Sequence, residues 1–277
     1  MSGRLRPWSI GLAAVALLLT SLTATPAAAA TRYPHVMAAS GDSITRAFDV
    51  GWCCILQDSP TNSWSTGTSS SVYSHYRRLL TVSPQLAGHN YNDARSGARM
   101  QDLAGQLGAA ANQRADYLTI LMGANDVCTS SISTMTPTAT FEAQFRTALA
   151  SFTAARPNAR VFVSSIPSIY RLWYLLHGNL LAAATWKYFK ICQSMLNENN
   201  TELQRQQVVA QEVADNDALA RVCAQFIQCR WDGYATYNTT FSTSDVSTVD
   251  YFHPSISGQN RLAAVTWAAG YWPAVGG

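Results

Sequence analysis

The chain has 277 residues, of which 48% are hydrophobic and only 13% are charged. An average globular protein has about 25% charged residues, so this composition excludes a disordered, highly charged chain. Glycines and prolines in every region exclude a long coiled coil. A formal net charge of +3 gives no electrostatic preference for nucleic acid, which we do not expect as a partner.

Residues 1–30 are typical of a secretory signal peptide. Arg4 and Arg6 form a basic start, an apolar run covers residues 10–22, and small residues follow up to Ala30. The apolar run is shorter than the ~20 residues that a membrane-spanning helix needs, which argues against a membrane anchor. We therefore predict cleavage near Ala30, a secreted, extracellular protein, and one domain over residues 31–277.

Strand-like and helical runs alternate after residue 30, without internal repeats or linkers. The predicted strands cover residues 35–40, 88–92, 117–122, 160–165 and 226–231. The predicted helices cover residues 72–80, 98–113, 140–155, 201–223 and 257–271. This alternation predicts an α/β fold with a parallel sheet between helical layers. Functional residues of such a fold are expected just after the carboxyl ends of the strands.

Six cysteines are expected to form disulfides in an exported protein. They are Cys53, Cys54, Cys128, Cys192, Cys223 and Cys229. Cys223 and Cys229 are close enough in sequence to close one short loop. A bond between Cys128 and Cys192 would close a long loop, for which the chain-entropy gain is larger. Cys53 and Cys54 then remain, although adjacent Cα atoms lie only ~3.8 Å apart, below the usual disulfide range. Either this adjacent pair forms a bridge and rigidifies its loop, or the other two pairings are wrong. The spacing fits no zinc site, so we predict no metal.

Four short motifs fall where functional residues are expected. They are Gly-Asp-Ser at 41–43, Arg-Ser-Gly-Ala at 95–98, Gly-Ala-Asn-Asp at 123–126 and Asp-Tyr-Phe-His-Pro at 250–254. The first three follow predicted strands, and the fourth precedes the last helix. Together they supply the nucleophile, base, orienting group and oxyanion donors that acyl transfer requires. Each motif alone is also typical of a turn, a helix start or a surface loop, and their order is what favours catalysis.

This set of motifs resembles the four sequence blocks of the SGNH, or GDSL-type, serine hydrolases, over nearly all of the chain after residue 30. The resemblance implies a flavodoxin-like three-layer α/β/α sandwich with a five-stranded parallel sheet. It implies Ser43 as the nucleophile, His253 as the general base and Asp250 as the residue that orients the histidine. It also implies an oxyanion hole made by the backbone N–H groups of Ser43 and Gly97 and the side-chain amide of Asn125.

The group that orients His253 stays open between two candidates. Some relatives use a backbone carbonyl in place of the acid, and the carbonyl of Tyr251 is the local alternative to Asp250. The acids Asp42 and Asp126 are expected to hold their own loops by local hydrogen bonds to the backbone. The family chemistry needs no metal, and no dinucleotide- or phosphate-binding loop motif is present, so we predict no cofactor.

Two segments beyond strand ends are candidates for substrate contact. They cover residues 52–67 and 169–176, and the candidate residues are Trp64, Arg171 and Trp173. The second segment could equally be a helix that packs on the core. An arginine, either Arg46 or Arg171, could bind a phosphate group.

The substrate class comes from a finer resemblance. Residues 40–46, 51–54, 63–67, 122–128 and 250–255 look like the secreted actinomycete phospholipase A1 and phospholipase B-like branch of the family. That resemblance implies hydrolysis of glycerophospholipid acyl esters at sn-1, with transient contact to a lipid surface, and we expect a monomer. The alternatives are a secreted carbohydrate acetyl esterase, a general lipase or esterase, and a binding module that has lost turnover.

Overall fold

The computed structural model of the chain describes residues 1–4 and 33–275. The chain divides into two units, Met1–Arg32 and Tyr33–Gly277, and the helices and strands described here belong to the second. Apart from its first four residues, the signal peptide predicted for residues 1–30 lies outside the described part of the chain, as does its cleavage site.

A single five-stranded sheet forms the centre of the second unit. The strands are β1 Met37–Gly41, β2 Asn90–Asn92, β3 Tyr117–Leu121, β4 Arg160–Val163 and β5 Cys229–Trp231. They pair in the order β2-β1-β3-β4-β5, and every pair is parallel. All residues of β1 and β3 are buried, as expected for strands covered on both faces. The predicted five-stranded parallel sheet is therefore confirmed.

Helices flank this sheet, which confirms the predicted α/β fold. They are α1 Ser43–Arg46, α2 His75–Leu80, α3 Leu103–Asn112, α4 Ala124–Val127, α5 Thr138–Ala155, α6 Ile169–Leu176, α7 Leu180–Tyr188, α8 Gln193–Leu196, α9 Glu202–Cys223, α10 Ala235–Asn238 and α11 Ile256–Ala269. All five predicted helices are present with somewhat different ends, whereas α7 and the four-residue helices were not predicted. Within the described ranges, none of the helices has the length and apolar character needed to cross a membrane.

The helical stripe predicted in α5 is buried in the core. Its four apolar side chains, Phe141, Phe145, Leu149 and Phe152, are at most 1% exposed. Helix α5 contacts α3 on one side and α9 on the other, so one core continues from the sheet through these helices. Burial of side chains of this size contributes roughly 1.5–3 kcal/mol each.

Helix α9 buries polar side chains that hold the loop after β4. The Asn216 side-chain oxygen accepts a hydrogen bond from the backbone N–H of Ile166 at 2.8 Å, and Glu212 accepts one from Ile169 at 3.2 Å. Both acceptors are fully buried. Because Ile169 is the first residue of α6, the polar face of α9 fixes where α6 begins.

All six cysteines are paired in three disulfides. The pairs are Cys53–Cys54, Cys128–Cys192 and Cys223–Cys229, with Cα atoms 3.8, 4.3 and 5.3 Å apart. The adjacent pair is thus bridged, and the other two predicted pairings also hold. The Cys128–Cys192 bridge joins the end of α4 to the start of α8 across 64 residues. A loop of that length corresponds to about 4 kcal/mol of stabilisation in the chain-entropy description.

Candidate active site

Ser43 lies at the turn that connects β1 to α1 and is 8% exposed. Gly41 makes this turn possible, because a Cβ atom at that position would lie 2.3 Å from the carbonyl oxygen of Leu121 on the neighbouring strand. The Gln106 side chain accepts from the Gly41 N–H at 2.7 Å and donates to the Gly41 carbonyl at 2.9 Å. The backbone that carries Ser43 is therefore fixed from both sides.

Asp42 caps the short helix that Ser43 begins. One oxygen of its carboxyl group accepts the backbone N–H of Ile44 at 2.9 Å, which is the local hydrogen bond expected from the sequence. The other oxygen is buried and has no hydrogen-bond partner among the described residues. Burial raises the pKa of Asp42 to about 7, and the hydrogen bond from Ile44 opposes that rise.

A hydrogen-bond chain links Ser43 to an acid on the last loop. The Ser43 Oγ lies 2.8 Å from His253 Nε2, and His253 Nδ1 lies 2.5 Å from an oxygen of Asp250. The second Asp250 oxygen accepts the backbone N–H groups of Phe252 at 2.9 Å and His253 at 3.0 Å. Backbone donors thus hold the carboxylate in place against the histidine ring.

The alternative orienting group is occupied elsewhere. The carbonyl of Tyr251 accepts a hydrogen bond from the indole N–H of Trp186 at 3.0 Å. Tyr251 has a left-handed backbone conformation, with φ of +56°. The geometry therefore places Asp250, and not the Tyr251 carbonyl, against His253.

Opposing influences set the protonation of this pair. Burial lowers the pKa of His253, but the hydrogen bond and charge of Asp250, with the charges of Asp42 and Asp49, raise it above its ordinary value. Burial raises the pKa of Asp250, but the charge and hydrogen bond of His253 and the backbone N–H groups lower it below its ordinary value. Each partner thus favours the charged form of the other.

Asp49 is a third acid at this site and was not predicted from the sequence. It is 1% exposed, and its side chain comes within 4.8 Å of the polar side-chain atoms of Asp250 and His253. It accepts the backbone N–H of Leu56, which ties it to the loop of the Cys53–Cys54 bridge. Burial is the main cause that raises the pKa of Asp49, and the neighbouring Asp250 adds to the rise. No motif or spacing in the sequence marks this residue.

The same three side chains are the group in the described residues whose atoms lie close enough to share a metal ion. However, His253 Nδ1 and an Asp250 oxygen already bond to each other at 2.5 Å. A metal ion there would have to break that bond. The donor set therefore fits a proton-transfer pair better than a metal site.

Gly97 and Asn125 lie beside Ser43, as the motif order predicted. Gly97 has φ of +79°, a conformation that favours glycine, in the loop after β2. Asn125 belongs to α4, directly after β3, and its side-chain amide donates to the Ala98 carbonyl at 3.0 Å. An amide nitrogen carries two N–H bonds, and this contact uses one of them. The loops after two different strands are thereby joined next to Ser43.

Asp58 connects α1 to the loop after β2. Its carboxylate lies 2.9 Å from the Arg46 guanidinium and 2.5 Å from the Ser96 hydroxyl. Arg46 also donates to the carbonyl of Asn92 at 3.3 Å. Arg46, which the sequence offered as a phosphate-binding candidate, thus connects the Ser43 helix to the residue before Gly97.

Asp126 differs from its expected role in one respect. Its carboxylate accepts the backbone N–H of Met100 at 2.9 Å, so the bond is not local and joins α4 to the segment after Gly97. Burial raises the pKa of Asp126. Asp126 therefore connects two segments of the chain, whereas Asp42 holds only its own turn.

Ser43, Gly97, Asn125 and His253 line one cavity of about 490 Å³, called the Ser43 cavity below. Its walls are mainly apolar. One wall carries Trp52, Ile55 and Leu56, from the loop of the Cys53–Cys54 bridge, and another carries Phe189 and Ile191. A cleft of this size and lining is typical of sites that bind small organic molecules.

The three predicted substrate-contact residues lie in different places. Trp64 is fully buried, and its indole N–H donates to Thr45 at 3.2 Å, so it is a core residue and not a substrate contact. Arg171 is exposed and lines a second cavity beside α6. Trp173, on the same helix, lines a third cavity together with His177, under the guanidinium of Arg205 at 4.3 Å from the ring centre.

A sequence model of one protein family, the GDSL-like lipases and acylhydrolases, matches residues 37–265. The chain belongs to this family of carboxylic ester hydrolases. The resemblance read from the GDSL motifs is thereby confirmed. No curated protein sequence gives a significant match.

Solved structures of several GDSL-type and related esterases resemble this chain. A putative GDSL-like lipase from Parabacteroides merdae is 16% identical, with 84% of this chain and 94% of that chain covered and a TM-score of 0.52. Phospholipase A1 from Streptomyces albidoflavus is 18% identical, with 84% and 98% covered and a TM-score of 0.49. A family 3 carbohydrate esterase from Clostridium thermocellum is 14% identical, with 84% and 93% covered and a TM-score of 0.47. The first likeness shows a shared fold, and none of the three assigns a substrate to this chain.

Proposed function

We propose that this GDSL-type hydrolase is a secreted phospholipase that cleaves glycerophospholipid acyl esters, at sn-1, through an acyl-enzyme on Ser43. The observation that carries the proposal is the Ser43–His253–Asp250 hydrogen-bond chain at a cavity with apolar walls. The preference for sn-1 rests on the sequence resemblance to the phospholipase branch.

The first half of the reaction forms the acyl-enzyme. His253 Nε2 accepts the proton of the Ser43 hydroxyl while Ser43 Oγ bonds to the ester carbonyl carbon, and Asp250 stabilises the imidazolium that results. The bond to the glycerol oxygen then breaks, and His253 returns its proton to that oxygen. In the second half, water gives a proton to His253 and attacks the acyl carbon. The bond between that carbon and Ser43 Oγ then breaks, His253 returns the proton to Ser43 Oγ, and the fatty acid is released.

The negative charge on the carbonyl oxygen requires donors aimed at its position. The backbone N–H groups of Ser43 and Gly97 and the side-chain amide of Asn125 are the proposed donors. The contact of Asn125 with Ala98 fixes the amide before substrate binds, so no reorganisation is needed during the reaction. Fixed donors of this kind usually give the largest single contribution to catalysis.

Apolar side chains around the Ser43 cavity favour a lipid over a polysaccharide. Trp52, Leu56 and Phe189 line the cavity and are 71%, 66% and 58% exposed, respectively. Exposed apolar groups at one site are typical of surfaces that contact lipid or another protein. We therefore propose that these residues contact the lipid surface while an acyl chain enters the cavity.

Secretion is supported by the cysteines and by the sequence of residues 1–30. Disulfides form and persist in oxidising compartments outside the cytosol, and this chain has three. The proposed mature protein begins near residue 31.

Two measurements test the proposal. A serine-reactive organophosphate is expected to label the protein and not the Ser43→Ala variant, which separates an enzyme from a binding module. Phosphatidylcholine with different acyl groups at sn-1 and sn-2, and acetylated xylan, are then offered separately. We expect release of the sn-1 fatty acid. Release of acetate without fatty acid would overturn the phospholipase assignment in favour of a carbohydrate esterase.

A further inference from the structure

A second and larger cavity, of about 660 Å³, lies beside the catalytic residues and is called the α6 cavity below. Three of its lining residues are direct sequence neighbours of catalytic ones. Ile44 follows the proposed nucleophile, Ala124 precedes the proposed oxyanion donor, and Phe252 precedes the proposed base. The two cavities are therefore built on the same loops.

Phe252 lines both cavities. Its backbone N–H donates to Asp250, and its ring stands edge-on to the His253 ring with centres 5.1 Å apart. The ring is thus held by the same groups that hold the histidine. Phe252 is therefore the residue that the two cavities share.

One wall of the α6 cavity is formed by the half-buried face of α6. Leu172 and Leu175 supply apolar side chains, and Phe241 and Val246 line the cavity from the loop before the last helix. The start of α6 is anchored by the buried Glu212. The wall is therefore apolar and fixed at one end, as in pockets that hold hydrocarbon groups.

One cation and one acid also line this cavity. The exposed guanidinium of Arg171 donates to the Asn238 carbonyl at 2.6 Å and lies 5.9 Å from the centre of the Tyr237 ring. The buried Asp245 already accepts from Arg261 at 2.8 Å and from Ser257 at 2.8 Å, which offsets its charge. The cavity therefore combines an apolar interior with an accessible positive charge.

We propose that the α6 cavity binds the second hydrocarbon chain of a two-chain phospholipid, the chain that is not cleaved, with Arg171 facing the phosphate. This inference rests on the proposed function. The scissile chain then occupies the Ser43 cavity, and Phe252 lies between the two chains. The cavity thereby favours a diacyl lipid over a lysophospholipid.

The test compares substrates with one and two chains. Leu175→Trp and, separately, Leu172→Trp fill the α6 cavity, and Leu203→Trp, on an exposed leucine of α9 outside both cavities, is the matched control. We expect KM for diacyl phosphatidylcholine in detergent micelles to rise at least about tenfold in the first two variants. A factor of ten is about 1.4 kcal/mol, less than the burial of two methylene groups contributes. Hydrolysis of lysophosphatidylcholine and of p-nitrophenyl butyrate is expected to stay within about twofold of the parent, a difference of under ~0.5 kcal/mol.

Each outcome has one meaning. An unchanged KM for the diacyl lipid in folded variants, or an equal rise for the one-chain lipid, would overturn the assignment of this cavity. Competition by a dialkyl ether phosphocholine, which has no ester to cleave, gives a second readout, and its Ki is expected to rise in the Leu172→Trp and Leu175→Trp variants alone. If the parent protein hydrolyses p-nitrophenyl butyrate but not the diacyl lipid, the proposed lipid function fails and this inference with it. If all esters are inert, the proposed chemistry itself fails.

Discussion

Single hydrogen bonds decide how the residues around Ser43 can act. Asn125 holds Ala98 and is the proposed side-chain donor to the oxyanion. We predict that Asn125→Ala lowers kcat by about 10²–10³, the usual cost of losing one oxyanion donor. The free energy of unfolding is expected to fall by only about 1 kcal/mol, because one amide-to-carbonyl bond is lost. Steady-state kinetics and thermal unfolding measure the two effects.

A matched control for that substitution exists on β2. Asn90 donates its side-chain amide to the Thr66 carbonyl at 2.8 Å, away from the Ser43 cavity. Asn90→Ala should therefore cost similar stability and leave kcat unchanged. Near-normal turnover in Asn125→Ala would show that Asn125 is not an oxyanion donor.

The raised pKa of His253 predicts where activity begins on the acid side. The base must be neutral to accept the proton of Ser43, so kcat/KM is expected to rise with pH through a pKa above the ordinary histidine value. Asp250→Asn removes the negative charge that raises this pKa. Since one Asp250 oxygen is held by the backbone N–H groups of Phe252 and His253, the amide NH2 is expected to take the place of the oxygen that faces His253 Nδ1. We expect the acid limb of the pH profile to move to lower pH, and the plateau to fall by up to about 10⁴, as in serine protease triads. A plateau that falls only slightly would favour orientation by a backbone carbonyl.

At the scale of helices and strands, the sequence was most informative where burial is continuous. Residues 117–122 and the stripe of α5 were predicted because their apolar patterns follow directly from burial on a sheet and on a helix. The site residues could be predicted once these strands were known, because the carboxyl ends of parallel strands lie at the same end of the sheet.

Long-range contacts explain what the sequence did not predict. The segment 52–67 was predicted to contact substrate, and its first part does line the Ser43 cavity with Trp52 and Leu56. Residues 62–67 are instead buried, and the backbone N–H of Trp64 donates to Gln259, 195 residues away. Asp49 and Asp58 reach the site only because the loop after α1 folds back on it. No local pattern encodes such contacts.

The residues directly after α7 and the loop of the Cys53–Cys54 bridge give the Ser43 cavity its exposed apolar edges. Tyr188, at the end of α7, is 82% exposed and its ring contacts that of Phe189 at 4.9 Å. We predict that Tyr188→Ser weakens binding to phosphatidylcholine vesicles several-fold in a sedimentation assay. Hydrolysis of a soluble short-chain ester should not change.

Ile227→Ser is the matched control for lipid contact. Ile227 is 98% exposed and directly precedes the edge strand β5. It therefore lies at the amino-terminal end of the parallel strands, whereas Ser43 follows the carboxyl end of β1. Loss of an exposed apolar side chain there should leave vesicle binding unaltered. Equal losses in the two variants would mean that the α7 edge has no special role in lipid contact.

At the scale of the whole molecule, buried acids determine how stability depends on pH. Burial raises the pKa of Asp42 and of Asp215 to about 7, raises that of Asp126, and raises that of Glu212 well above its ordinary value. Between about pH 5 and pH 7, Asp42 and Asp215 therefore hold protons in the folded protein that they lose on unfolding, and the raised pKa values of Asp126 and Glu212 act in the same direction. His75 acts in the opposite sense, because burial lowers its pKa to about 3, but the acids with raised pKa values, which include Asp49, outnumber it.

Stability is therefore expected to fall as pH rises through this range, since the folded state binds more protons than the unfolded state. We predict a higher Tm near about pH 5 than near about pH 8, by several degrees, given that 1 kcal/mol shifts Tm by about 2–4 °C in a chain of this size. Below about pH 4 the trend should reverse. Asp245 and Asp250, whose pKa values are lowered by hydrogen bonds and opposite charges against the effect of burial, then lose their stabilising contacts.

Asp215→Asn provides the control for the origin of this dependence. Asp215 accepts from Thr138 at 2.8 Å, a bond that the asparagine oxygen can keep, while the ionisable group is removed. Differential scanning calorimetry should give this variant a flatter decline of Tm from mildly acidic to alkaline pH than the parent chain. A Tm that rises over the same range in the parent chain would contradict the raised acid pKa values, because protons would then be released on folding instead of taken up.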